Sequence, residues 1–424
     1  MNSDKSKKSP GKAVKELFAL PELGSKFLII GGGILLLIGT VTGVENREQL
    51  AFSWLLSYMF FLSICMGSLF LIIITHLFDA AWAVPFRRIN ESIISLFPIM
   101  GLLFIPIALL ALFFDTPHFY EWMQMGDSPD PALHAKQGWL NKPFFILRAC
   151  VYFAVWSWLG LGFRKWSIRQ DKDGSPECTH KMRKLAYAGI YIFAFTLTAA
   201  VIDWVKALEH SWYSTMYGVV YFAGSVWVTL AATYLIALFL DRSGPLKPVM
   251  GNRQYHGIAI LMLAFTVFYA YVHFSQYFLI WNANIPEETF WYVKREIGSW
   301  WDIGILIVFG HFFFPFLMLL RIDIKLALPI MVPLCAWNML MHYIDLTFNI
   351  MPVLHDSGYV LHWLDIASFA VIGGILAYYF MKRFSEAAPF PIKDPRLGEA
   401  VAETLHEREH QAQTAAAATD GGAE

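Results

Sequence analysis

Ten stretches of this chain are long and apolar enough to cross about 30 Å of hydrocarbon at about 1.5 Å of rise per residue. They run Phe27–Val44, Phe52–Phe78, Ile93–Phe114, Phe144–Phe163, Leu185–Leu208, Tyr217–Leu240, Gly257–Trp281, Trp300–Leu320, Leu326–Ile350 and Leu361–Met381. In lipid no water serves the backbone, so each run must satisfy its own N–H and C=O groups as an α-helix. The expected fold class is therefore an all-α integral membrane protein of about ten transmembrane helices. Composition agrees: of 424 residues 57% are apolar and only 15% charged, against about 25% charged in a soluble domain. With 32 basic against 33 acidic residues there is no basic stripe for nucleic acid, and lipid is the expected surroundings. Cys65, Cys150, Cys178 and Cys335 stand alone, with no C-x-x-C or C-x-x-C-H spacing. The chain thus lacks the sequence basis for iron–sulfur, c-type haem or structural zinc sites.

Orientation follows from where the positive charges fall. With a cytoplasmic amino terminus, 25 of the 32 Lys and Arg residues lie in inside segments. The outside segments and outer helix ends keep Arg47, Lys136, Lys142, Arg148, Lys206, Lys294 and Arg295. The positive-inside bias puts both termini in the cytoplasm. Three regions result: a basic segment over 1–25, a ten-helix domain over 26–383, and a cytoplasmic tail over 384–424 that is Pro-punctuated, then Ala-rich and partly disordered. The first run is followed by Glu45 and Arg47 rather than a small-residue cleavage site, so it reads as a retained span. Its Gly31, Gly32, Gly33, Gly39 and Gly43 follow no strand and read as helix-packing glycines, not a nucleotide loop. The Asp115–Pro143 connection is too long for a turn and is expected to dock on something.

Polar groups inside the spans single out candidate functional residues, because an ionisable side chain near a helix centre costs at least about 2.5 kcal/mol. Asn338, His342, Asp345 and Asn349 recur at i, i+4, i+7 and i+11 along one face of the ninth span. Asp203, Lys206 and His210 close the fifth span with Thr196 on the same face, and Asp203 and Lys206 are spaced to pair directly. The seventh span carries Thr266, Tyr269, His273 and Gln276. His311 lies near the middle of the eighth, with Pro315 loosening the helix one turn later. Direction of travel puts most of these in the outer half, so Asp203, Lys206, His210, His273, His311, His342 and Asp345 form a candidate proton path. Plainer roles compete: Asp79, Asp241, Arg242, Arg321, Asp302 and Asp365 lie at helix ends, where capping or snorkelling accounts for them. Asp203 with Lys206 could be structural glue, and the histidines satisfied core imidazoles.

Two outer-loop runs carry a resemblance. Asp203-Trp204 through Glu209-His210-Ser211-Trp212-Tyr213-Ser214-Thr215-Met216-Tyr217-Gly218 is one. Ser275-Gln276-Tyr277 through Trp281, with Asn284-Ile285-Pro286-Glu287-Glu288-Thr289-Phe290-Trp291-Tyr292, is the other. Together they resemble the ActF family of bacterial alternative complex III, similar to the polysulfide-reductase membrane anchors (NrfD-like). The resemblance spans the whole membrane region. It implies two four-helix bundles, from spans two to five and six to nine, with flanking helices. It also implies a cofactor-free subunit of a quinol:cytochrome c (or similar carrier) oxidoreductase, with quinol or menaquinol as substrate of the complex. Haem c and iron–sulfur clusters would belong to partner subunits: an NrfD-like sister, an iron–sulfur protein, c-type cytochromes and a terminal oxidase. In this chain it implies a proton path with quinone contact. A proton-coupled secondary transporter, favoured by the proline pairs Pro98/Pro106 and Pro329/Pro333, and a purely structural membrane anchor are the competing readings.

Overall fold

The computed structural model describes residues 10–41, 43–114, 116–124, 130–402 and 404–406, and among them every regular element is helical. The long helices, in chain order, are α1 Ala19–Val41, α2 Val44–Leu77, α3 Phe97–Phe113, α4 Lys142–Asp173 and α5 Pro176–Trp204. They continue as α6 Tyr217–Arg242, α7 Asn252–Ala283, α8 Ser299–Leu320, α9 Leu328–Ile350 and α10 Trp363–Phe384. The short helices Ala81–Phe86 and Arg87–Ile94 lead into α3. Among the described residues nine helices are long and apolar enough to cross a membrane, the architecture of a multi-pass helical membrane protein. The tenth expected span is α9. It is helical over 23 residues, but the polar residues of its stripe keep it out of the strongly apolar set.

Local chemistry fixes the turns between helices. Gly174 ends α4 with φ of 67°, the left-handed region glycine enters freely, and Ser175 then accepts a hydrogen bond from Glu177 N to start α5. Asn141 caps α4 in the same way by accepting from Phe144 N.

Packing joins the helices into two rings of four that share a seam. One ring is α2, α3, α4 and α5; the other is α6, α7, α8 and α9; α2 and α6 pack together between them. At that seam a Cβ on Gly67 would run into Thr229 and the Ser225 carbonyl, so glycine lets the two helices close up. Tyr221 then donates to the Met59 carbonyl at 2.7 Å and Thr229 to that of Ile64 at 3.1 Å. Outside the rings α1 pairs with α10, and both lean on α2. Of the expected packing glycines, Gly32 and Gly39 meet α10, with Val371 and Leu364 within 2.5 and 2.7 Å of where a Cβ would stand, while Gly31 and Gly33 face open space.

One end of the molecule is tied by an ionic network. Arg87 pairs with Glu91 at 2.9 Å and with Asp394 at 2.7 Å; Arg88 pairs with Glu91 at 2.8 Å and also with Asp171. Asp79 pairs with Arg183 and with Arg396. These contacts gather the C-terminal ends of α2 and α4 with the starts of α3 and α5, so consecutive helices of the first ring run antiparallel. The segment after α10 lies across this end: Asp394 is 4% exposed, and Gln254 donates to the Ala400 carbonyl at 2.9 Å. The rest of the expected disordered tail, 407–424, lies outside the described residues, as do residues 1–9 of the basic N-terminal segment.

Gly32→Leu should lower the thermal midpoint of the detergent-solubilised protein, by about 1–3 kcal/mol of stability, whereas Gly33→Leu should leave it unchanged. Burial alone would raise the Asp394 carboxyl, but the guanidinium groups of Arg87 and Arg396 outweigh it and hold it well below the usual carboxylate range. Its contribution is therefore complete above the unfolded value near about 3.9 and is lost only as pH falls through the lower folded value. Limited proteolysis of residues 386–406 should stay slow at pH 5 and speed up in Asp394→Asn at neutral pH.

Candidate functional site

The polar stripe of α9 meets α8 where α8 changes winding. Residues Ile307–Phe313 form a π-helix, whose backbone hydrogen bonds span one residue more than those of the flanking α-helix. Pro315 follows directly and has no N–H to return to the His311 carbonyl, which accounts for the altered winding. The turn carries His311, 0% exposed, between the rings of Trp227 and Tyr269, each with its centroid 3.9 Å away and nearly parallel. Neither nitrogen of His311 has a hydrogen-bond partner.

His342 and Asp345 face it from α9. Ser63 on α2 donates to the Phe60 carbonyl at 2.6 Å, so its oxygen can only accept from His342 Nε2 at 2.9 Å. That assigns the proton of His342 to Nε2 and leaves Nδ1 a bare, buried lone pair with no partner. Gly224 makes room for this ring: a Cβ there would stand 2.9 Å from His342 Cε1. Asp345, 4% exposed, accepts from Tyr269 OH at 2.7 Å and from Asn349 Nδ2 at 3.3 Å, both at Oδ1. One donor atom each of His311, His342 and Asp345 lies within 4.8 Å of the others. Asn349 in turn accepts from Tyr217 OH at 3.0 Å. His273 stacks on the far side of Tyr269 at 5.5 Å. It borders a cavity of about 620 Å³ lined by apolar side chains of α7 and α8 together with Tyr292, Arg295 and Glu296.

The other expected site residues lie in the first ring and the loops. Asp203 does not pair with Lys206: its carboxylate takes Arg148 Nε at 2.7 Å and Nη2 at 2.9 Å, Tyr152 OH at 2.8 Å and Trp139 Nε1 at 2.7 Å. Arg148 also covers the Trp139 and Phe144 rings at 4.3 Å. The reason is geometric: Arg148 and Tyr152 sit at i and i+4 on the α4 face turned to α5, while α5 ends at Trp204 and Lys206 opens a separate 3₁₀ turn. Lys206 instead neighbours Lys136. Lys136 donates to the His210 carbonyl, and burial lowers its ammonium below the ordinary value against the pull of Asp130. His210 Nε2 meets Asp130 at 2.7 Å. Among the described residues no side-chain hydrogen bond joins the Asp203 group to the Asp345 group. The loops approach each other through Arg295, which pairs with Glu209 at 3.1 Å and donates to the Phe348 and Asn349 carbonyls at the end of α9.

Sequence reading passed over several participants. Arg148 and Tyr152 carried a signal, an i, i+4 polar pair inside an apolar run. Ser63 carried none, being a lone serine on an apolar helix. Asp365 was expected to cap, and it does accept from His362 N at 3.0 Å. It also accepts from Ser53 at 2.5 Å and Gln49 at 3.3 Å, a contact no local spacing announces. Compared with protein-family models and with curated proteins, the chain matches none.

Removing one side of a buried ion pair leaves the other charge uncompensated. Arg148→Leu should therefore cost about 3–5 kcal/mol, read as a large fall in thermal midpoint, while Lys206→Ala should change it little.

Proposed function

We propose that this chain is a proton-conducting membrane subunit of a quinol-oxidising respiratory complex. The observation that supports it is the buried group of Tyr269, His311, His342 and Asp345, whose two imidazoles leave three ring nitrogens without partners. Imidazole, phenol and carboxylate are the side chains that exchange protons most readily, and packing interiors rarely leave such groups unsatisfied. A water reaching these nitrogens would find several polar partners and complete a relay. From Asp345 the route continues through Asn349 and Tyr217 toward the loops, and from Tyr269 past His273 to the apolar cavity.

The rest of the proposal comes from the resemblance to the membrane proteins of alternative complex III and from charge placement. Both termini are cytoplasmic, the membrane is the bacterial inner membrane, and the outer loops dock c-type cytochrome and iron–sulfur partners. An NrfD-like sister subunit and a terminal oxidase complete the assembly. The cavity beside His273, apolar with a few polar groups at one end, suits the ring and tail of a quinone. Haem c and iron–sulfur clusters in partner subunits carry the electrons to a cytochrome c or similar carrier. A transporter built on Pro98/Pro106 and Pro329/Pro333 lacks comparable support, since neither pair lies at the polar group. A structural anchor is the remaining reading, and function separates it from the relay.

Asp345→Asn and Tyr269→Phe keep the shape of the cluster. In the assembled complex each should slow proton delivery about a hundredfold with assembly intact, measured as protons released per electron in proteoliposomes. An unchanged ratio in both variants would leave only the anchor.

A further inference from the structure

We infer that His311, His342 and Asp345 form a binding site for a single divalent first-row transition-metal ion of the Zn²⁺ type. Two nitrogens and one carboxylate oxygen from two helices, all buried and within 4.8 Å of one another, are the donor set such ions take. The lone pairs are free for it. His342 is held in the tautomer that leaves Nδ1 bare, His311 has no partner at either nitrogen, and both donors to Asp345 fall on Oδ1.

The surroundings also have the form of an outer coordination shell. A metal-bound imidazole donates its remaining N–H to an acceptor, and a metal-bound carboxylate is itself hydrogen-bonded. Ser63 fills the first role, Tyr269 and Asn349 the second. The aromatic sandwich of Trp227 and Tyr269 restrains the His311 ring before any ion arrives. Zinc bonds of about 2.0–2.2 Å ask the three donors to draw together, and a fourth position stays open to water.

This inference does not rest on the proton-path reading, because metal occupancy at equilibrium reports only the donor geometry. The test uses the full-length chain in detergent without a histidine tag. It is loaded with Zn²⁺, desalted and assayed for metal per chain. Wild type and His180→Ala, an exposed control, should keep one equivalent; His342→Gln and Asp345→Asn should lose it. Co²⁺ added to wild type should give ligand-field absorption that Zn²⁺ abolishes, a readout independent of how any variant folds. Wild type without retained zinc, equal zinc in wild type and both site variants, or Co²⁺ with only its aqueous spectrum would each overturn the site. Proteoliposome proton counts without added metal are unaffected by any of these results, so the two readings fail separately.

Discussion

A carboxylate cut off from water must find its hydrogen bonds in the protein, and the architecture here is built around two that do so differently. Asp203 is neutralised outright by a bidentate guanidinium with a phenol and an indole filling the remaining lone pairs. Nothing is left over for exchange, and the group works as a fastener between α4 and α5. Asp345 has no cation beside it, only a phenol and an amide, and it looks across at two imidazoles. The same side chain is a lock in one ring and an unfinished contact in the other.

That contrast divides the labour of the two rings. The first ring carries the dense ionic ties, with Arg148 at one end and Arg87, Arg88 and Glu91 at the other. Aromatic rings fill much of its interior, with Trp156 and Trp204 both fully enclosed. The second ring keeps its polar groups inside the span and uses a glycine to admit one of them, Gly224 against His342. The seam between α2 and α6 matters to both, since Ser63 on α2 is what fixes the His342 tautomer in the second ring.

The helices and the α9 stripe were legible in the sequence because they are local: apolar length and a repeat of three or four residues suffice. The four stripe residues do lie near one another along α9, and three of them take part in the polar group or its link to Tyr217. What local spacing could not supply was partnership across the fold. Asp203 looked toward Lys206 three residues on, yet its cation comes from Arg148 on another helix. Asp365 read as a cap and also holds Ser53 and Gln49. The seven expected residues therefore separate into two groups instead of one line, a result that depends on which ring each helix joins.

The π turn of α8 has a consequence for everything downstream of it. Trp301, Ile305 and Val308 are exposed at ordinary helical intervals, and a continuous α-helix would next present residues 312, 316 and 319. Beyond Val308 and Phe309 the exposed residues are Phe313, Phe314, Leu317 and Leu320, while Phe312 and Phe316 are half-buried and Leu319 is fully enclosed. The added residue advances the helix by about 100° of azimuth, so the outward-facing stripe resumes one position late. Half of α8 is thus written out of phase with the other half, and the place where the phase slips is the place where His311 turns inward.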